Sequence, residues 1–287
     1  IILLFLVLAP SLFAQKAQQS QKVGTPPPTQ PPLQAVDITQ LPAGTTHLDL
    51  FLLMGQSNMK GRGVMPEQPK RDPRLMMMHL QDDQWYLARY PLHLTGDAKT
   101  FAGHDNAGVG PGLAFAEVLA AQDKTAAIGL IPCAVGGSPI QQWQKGAKLY
   151  ENAVRRAKLA LQSTAPVKAR IRGVIWLQGE ANAKAADLPQ HAERLKTMIA
   201  NLRADLGLPD LPFIACTIGE MPADAKRLEE IRAMNAILLD LPNRVPHTAC
   251  VDARDLKTHI GDRVHFDTAA QEEIGRRFAA KWAELNP

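Results

Sequence analysis

The sequence predicts an α/β domain in three layers, with a central, mostly parallel five-stranded sheet between two layers of helices. Three observations carry this. Short apolar runs alternate with amphipathic helical patterns about five times between Leu48 and Leu285. The runs are continuous rather than alternating, as strands covered on both faces require. Turn-forming residues gather after the apolar runs, where the loops of an open α/β sheet converge on one crevice.

The strands read as Leu48–Met54, Ala126–Pro132, Ile171–Leu177, Pro212–Ile218 and Thr248–Ala253, and the run Leu75–Leu80 is a candidate further strand. Helices are expected at Pro111–Gln122, Ala147–Gln162, Asp187–Leu206, Asp224–Leu239 and Thr268–Leu285. Pro111 near a helix start supplies a preset φ where no donor is needed. In the last helix, Thr268 and Gln271 have capping-box spacing, and Ile274, Phe278, Trp282 and Leu285 form one stripe. Lys60–Gly110 is long, irregular and rich in Pro, Gly and Asp. Its Trp85, Tyr86 and Tyr90 suit either a sugar-stacking wall or loop packing, since aromatic rings mainly supply buried area.

Domain organisation follows from composition. Residues 1–14 are apolar and match the hydrophobic core of a signal peptide. They fall short of the roughly 20 residues that span a bilayer. Residues 15–43 are Pro- and Gln-rich and read as a disordered linker. Residues 44–287 form one domain, and the mature chain is expected to be exported with no stable membrane insertion. The net charge is +4, with both signs scattered and no basic block of the kind that binds nucleic acid. The three cysteines, Cys133, Cys216 and Cys250, all adjoin apolar runs. Buried thiols or a Cys216–Cys250 bridge both fit an exported chain. No Cys/His cluster has zinc-ligand spacing, and neither a metal nor an organic cofactor is expected. No pattern specifies an oligomeric state.

Four loops carry the chemistry. Gly55-Gln56-Ser57-Asn58 breaks the first strand abruptly, leaving Ser57 at the sheet's carboxyl edge as a candidate nucleophile. Gly136-Gly137-Ser138 follows the second strand and offers exposed amides for an oxyanion. Gln178-Gly179-Glu180-Ala181-Asn182 follows the third. There Gln178 and Asn182 are candidate amide donors, and Glu180 either braces the loop or competes with Asp262 as the site's carboxylate. Gly261-Asp262-Arg263-Val264-His265 precedes the last helix. A turn there puts Asp262 and His265 on one side, so one carboxylate can hold an imidazole that faces a serine. Trp143 could flank a sugar or fill the core, and Asn58 is a candidate support. An α/β-hydrolase elbow would need Gly two residues after the serine, where Met59 stands.

Together the four blocks resemble the SGNH-hydrolase superfamily and, more narrowly, the sialate O-acetylesterase-like group that includes carbohydrate esterase family 6. The resembling blocks are Gly55–Met59, Cys133–Ile140, Trp176–Asn182 and Asp262–Phe266. The chain departs from that group at Ala181-Asn182, where many relatives have Ser-Asp. The resemblance implies a flavodoxin-like fold and a serine esterase that releases O-acetyl groups from carbohydrates. It implies Ser57 as nucleophile, His265 as base and Asp262 as its partner. Oxyanion donors would be the Ser57 amide, Gly136, Gly137 and Gln178. A catalytically silent carbohydrate-binding domain and an esterase or acyltransferase acting on a non-carbohydrate ester are the competing readings.

Overall fold

The computed structural model describes residues 31–66, 72–222 and 224–286. The expected signal segment therefore lies outside the described residues. The strands are β1 (His47–Gly55), β2 (Leu75–Met78), β3 (Trp85–Leu87), β4 (Ala126–Pro132), β5 (Ala169–Leu177), β6 (Phe213–Cys216) and β7 (Thr248–Val251). They form one sheet in the order β3-β2-β4-β1-β5-β6-β7. All pairings are parallel except β2 with β3. The sheet has seven strands where five were expected. The candidate run at Leu75 is a strand, and Trp85–Leu87 is too short to show a periodicity.

The main helices are α2 (Gly112–Gln122), α3 (Lys148–Ser163), α4 (Leu188–Leu206), α5 (Ala225–Leu239) and α7 (Thr268–Leu285). Single turns form α1 (Ser57–Lys60) and α6 (Leu241–Arg244), and Ile140–Trp143 is a short 3₁₀ turn. The central strand β1 shows the three layers directly. Its Leu48, Leu50, Leu52 and Met54 join one core with Tyr150 and Ala153 of α3, Met198 of α4 and Met234 of α5. Its Phe51 and Leu53 join the other with Phe115 of α2 and Phe278 of α7. Alternate side chains of a strand point to opposite faces, so a run buried on both sides is apolar almost throughout; the buried Asp49 is the exception and accepts from Arg170 at 2.9 Å. Close approach of α2 and α7 needs Gly275, where a Cβ would meet the Pro111 carbonyl oxygen at 2.3 Å.

Two expectations change. Residues 31–43, expected as the end of a free linker, lie against the domain. The Leu33 amide donates to the Ala98 carbonyl at 2.8 Å and that of Val36 to Trp85 at 2.9 Å. Leu33 and Ile38 are buried. These few apolar residues among the prolines cover the edge strand β3, a place where unpaired backbone groups need partners. The capping box of α7 also fails to form. Asp267 caps instead, accepting from the Ala270 amide at 3.0 Å. Asp is as good a cap as Thr, which frees the Thr268 hydroxyl to donate to the Val64 carbonyl at 2.9 Å and Gln271 to turn inward. All three cysteines are buried and free.

Candidate active site

The chain passes from β1 first to β2 and β4 on one side and later to β5, β6 and β7 on the other. The crevice beyond the carboxyl end of β1 is thus a topological switch point, where open α/β sheets bind ligands. Gly55 ends β1 with φ +130, and a Cβ there would sit 2.2 Å from the Leu177 carbonyl oxygen. Only glycine fits this close approach. The Gln56 amide then donates to that same Leu177 oxygen at 2.9 Å. Ser57 follows as the first residue of α1, and its side chain is delivered to the floor of the crevice.

The Asp262–His265 turn arrives from the far end of the chain. Gly261 and Arg263 take positive φ, of 108° and 60°. The turn is closed by Asp262 Oδ1, which accepts from the amides of Val264 and His265, each at 2.9 Å. Asp262 Oδ2 lies 2.5 Å from His265 Nδ1. His265 Nε2 lies 2.9 Å from Ser57 Oγ. Because the carboxylate can only accept, the hydrogen-bond pattern places the imidazole proton on Nδ1 and the lone pair of Nε2 toward the serine hydroxyl. Burial acts to raise the Asp262 carboxyl, but the His265 amide, the His265 imidazole and the Val264 amide outweigh it, so the carboxyl is held below its ordinary 3.8. It therefore stays charged where the imidazole needs it.

Gly136 and Gly137 stand opposite. Gly137 has φ +69 and open space at its Cβ position, and a Cβ at Gly136 would lie 3.9 Å from Ser57 Cβ. The Ser138 hydroxyl pins this turn, donating to the Val135 carbonyl at 2.8 Å. It also accepts from Trp143 Nε1 at 3.0 Å. Trp143 is fully buried and meets Trp176 edge-on at 5.4 Å. It therefore braces the turn from within the core and flanks no ligand. Trp85 and Tyr90 are likewise buried, and Tyr86 donates to Asp82 at 2.8 Å, so none of the three forms a wall of the crevice.

The third block acts as a scaffold. Gln178 is fully buried, and its Nε2 is committed to Asn182 Oδ1 at 2.8 Å and the Ser138 carbonyl at 3.3 Å. Its amide is thus turned away from the crevice, against its expected place among the oxyanion donors. Asn182 also accepts from the Ile140 amide at 2.7 Å and donates to Gln141 at 2.9 Å. Glu180 does not reach His265 as a rival carboxylate. Its Oε1 accepts from Asn58 Nδ2 at 2.5 Å. Burial holds its carboxyl above the ordinary 4.5, against the opposing pull of Asn58, its own amide, His265 and Arg227.

The crevice has a volume of about 710 Å³ and is lined by Gln56, Ser57, Arg62, Gly137, Pro139, Gln141, Glu180, Ala181, Lys184, Asp187, Arg227, Val264 and His265. Of these, Gln56 was read only as part of the Gly55–Asn58 loop, and Arg62, Gln141, Lys184 and Asp187 were not among the candidates, although Arg62 lies five positions from Ser57. Arg227 could not have been found, because only the fold carries the start of α5 to this loop. There it donates to the carbonyls of Ala183 and, at 2.8 Å, Glu180. Among the described residues no group of three or more His, Cys, Asp or Glu is placed to hold a metal ion, and no helix is long and apolar enough to cross a membrane.

A doubly wound sheet with a serine, an imidazole and a carboxylate in line at its switch point defines a carboxylic ester hydrolase of the SGNH type. Residues 47–284 match the family model described as carbohydrate esterase, sialic acid-specific acetylesterase, and the chain belongs to that family. It is 32% identical over 249 residues to a probable carbohydrate esterase of Arabidopsis thaliana, covering 80% of this chain and 88% of that one. An Arabidopsis thaliana protein of known X-ray structure superposes with a TM-score of 0.70 at 30% identity, covering 82% of this chain and 98% of the other. The crystal structure of NanS shares the fold, with a TM-score of 0.69 at 18% identity over 84% of this chain and 98% of that chain.

Proposed function

We propose that the protein is an exported serine esterase that removes O-acetyl groups from an acidic carbohydrate through Ser57, His265 and Asp262. The observation that carries this is the unbroken hydrogen-bond line from Ser57 Oγ through His265 to Asp262, at 2.9 and 2.5 Å, inside the crevice. Ser57 Oγ attacks the acetyl carbonyl carbon while His265 Nε2 takes the hydroxyl proton. The Ser57 amide and those of Gly136 and Gly137 would supply donors to the developing oxyanion. The tetrahedral intermediate collapses, the sugar alcohol leaves with the proton from His265, and an acetyl-serine remains. Water, deprotonated by the same nitrogen, releases acetate and restores the serine.

Two cations favour an acidic sugar. Arg62 and Lys184 line the crevice, and neither pairs with a carboxylate among the described residues. Burial holds Arg62 below its ordinary value despite Asp105 and Asp262, so a substrate carboxylate would offset a desolvated charge. The apolar run of residues 1–14 supports export. The test is acetate release from O-acetyl sialic acid, acetylated xylan and neutral acetylated monosaccharides. Release with Ser57→Ala inactive is expected, fastest on the acidic sugar. Equal rates on all three would remove the preference for acid, and no release alongside turnover of lipid esters would remove the carbohydrate substrate. Failure of Ser57 to react with a fluorophosphonate would point to a silent binding domain.

A further inference from the structure

We propose that Asn58 and Glu180 form a positioning pair that holds His265 within reach of Ser57, an inference that rests on the serine-esterase reading above. Asn58 directly follows the nucleophile and is fully buried. Every hydrogen-bonding capacity of its side chain is turned to the segment around His265 or to what supports it. Its Nδ2 donates to the Val264 carbonyl at 3.1 Å, and its Oδ1 accepts from the Phe266 amide at 3.1 Å. These two backbone groups flank His265 on either side. One amide group thus grips the main chain before and after the imidazole and ties it to the residue next to Ser57.

The remaining two bonds reinforce the orientation that the first two set. Gln271 Nε2, from the first turns of α7, donates to Asn58 Oδ1 at 3.3 Å. Asn58 Nδ2 also donates to Glu180 Oε1 at 2.5 Å. An amide flip would set donor against donor at Phe266 and Gln271 and acceptor against acceptor at Val264 and Glu180. The Val264 carbonyl, the Phe266 amide and Gln271 thus set which way Asn58 faces, and Glu180 adds a fourth bond in the same sense. It is itself held from behind, since Arg227 donates to its carbonyl at 2.8 Å.

The pair needs an acceptor at Glu180, not a charge. Glu180 Oε2 is buried with no hydrogen-bond partner, which suits a protonated oxygen better than an anionic one. Burial, moreover, pushes this carboxyl up. A glutamine offers Asn58 the same carbonyl oxygen with no net charge. The carboxyl would thus be retained for its shape and acceptor, and its replacement by glutamine separates this role from one as a second base.

The experiment compares Asn58→Ala, Glu180→Ala, Glu180→Gln and Ser57→Ala on 4-nitrophenyl acetate, whose acyl group is small and which carries no sugar. Melting temperatures confirm that each variant is folded at the assay temperature. Asn58→Ala is expected to lower kcat about 10²-fold, the cost of misplacing a reacting group by about 1 Å, with KM within twofold. Glu180→Ala should lose about tenfold in kcat by the same route, while Glu180→Gln stays within twofold of the parent. Glu180→Gln as impaired as Glu180→Ala would overturn the acceptor role. So would Glu180→Ala with an unchanged kcat, a result available even if Asn58→Ala does not fold. A folded Asn58→Ala that keeps its kcat, or that changes KM alone, overturns the pair. An active Ser57→Ala would instead sink the esterase reading on which the inference stands.

Discussion

Replacing Asp262 with asparagine probes the site with little disturbance to the fold. The Oδ1 that accepts from the Val264 and His265 amides remains an acceptor, so the turn keeps both of its 2.9 Å bonds. What changes is the other atom. The introduced amide nitrogen would present a donor to His265 Nδ1, and that pairing requires Nδ1 to be bare. The proton then sits on Nε2, and the imidazole can no longer take one from Ser57. In a buried triad of another fold the same exchange costs about 10⁴ in kcat. Here the Asp262 side chain is 35% exposed, so water screens part of the interaction and can compete for the imidazole. We expect about 10³, roughly 4 kcal/mol of activation free energy. Asp262→Ala should be faster than Asp262→Asn, because water can still accept from Nδ1–H, although its turn is looser. Steady-state kinetics on 4-nitrophenyl acetate at neutral pH gives both values. An Asp262→Asn enzyme within tenfold of the parent would refute the tautomer argument.

Three further outcomes are expected. Gly55→Ala should destabilise the protein by about 2–5 kcal/mol, combining positive-φ strain with overlap against the β5 backbone, and urea unfolding would measure it. Because the folded Glu180 carboxyl titrates above its ordinary 4.5, its contribution is present below that pH and fades as pH rises. The stability of the parent relative to Glu180→Gln should therefore fall from pH 4.5 upward, and a flat difference in melting temperature would contradict this. Buried His93 has the opposite sense. Burial, followed by the nearby Lys60, pushes its imidazole down to about 3 from 6.5, so native stability should drop as pH falls through that window, and a His93→Leu variant should lose that slope in acid unfolding titrations.

The layers of the fold were legible because β1, β4 and β5 are covered on both faces and their sequences are mostly apolar, with Asp49, Arg170 and Arg172 toward the strand starts. Strand β3 was not, since three residues carry no period and its place is set by pairing with β2. The pieces of the site could be read where they lie at strand ends, as Ser57 and Gly137 do, and where two groups share one turn, as Asp262 and His265 do. The direction of a buried amide is different. Gln178 and Asn58 each have donors and acceptors to spare, and only the surrounding partners decide where these point. Gln178 therefore proved a brace for Ser138 and Asn182, and Asn58 a link to the Val264–Phe266 segment. Likewise Asp267 and Thr268 are both competent caps, and the choice between them depends on the Val64 carbonyl, two hundred residues away.

The serine follows the first strand of the domain and its imidazole lies in the last loop, 208 positions further along. A chain emerging from the ribosome therefore carries Ser57 long before it carries His265. On the proposed triad, a product truncated before His265 would hold the serine without its imidazole. On that reading turnover would require the segment held by α7, so activity would report that the last part of the chain is in place.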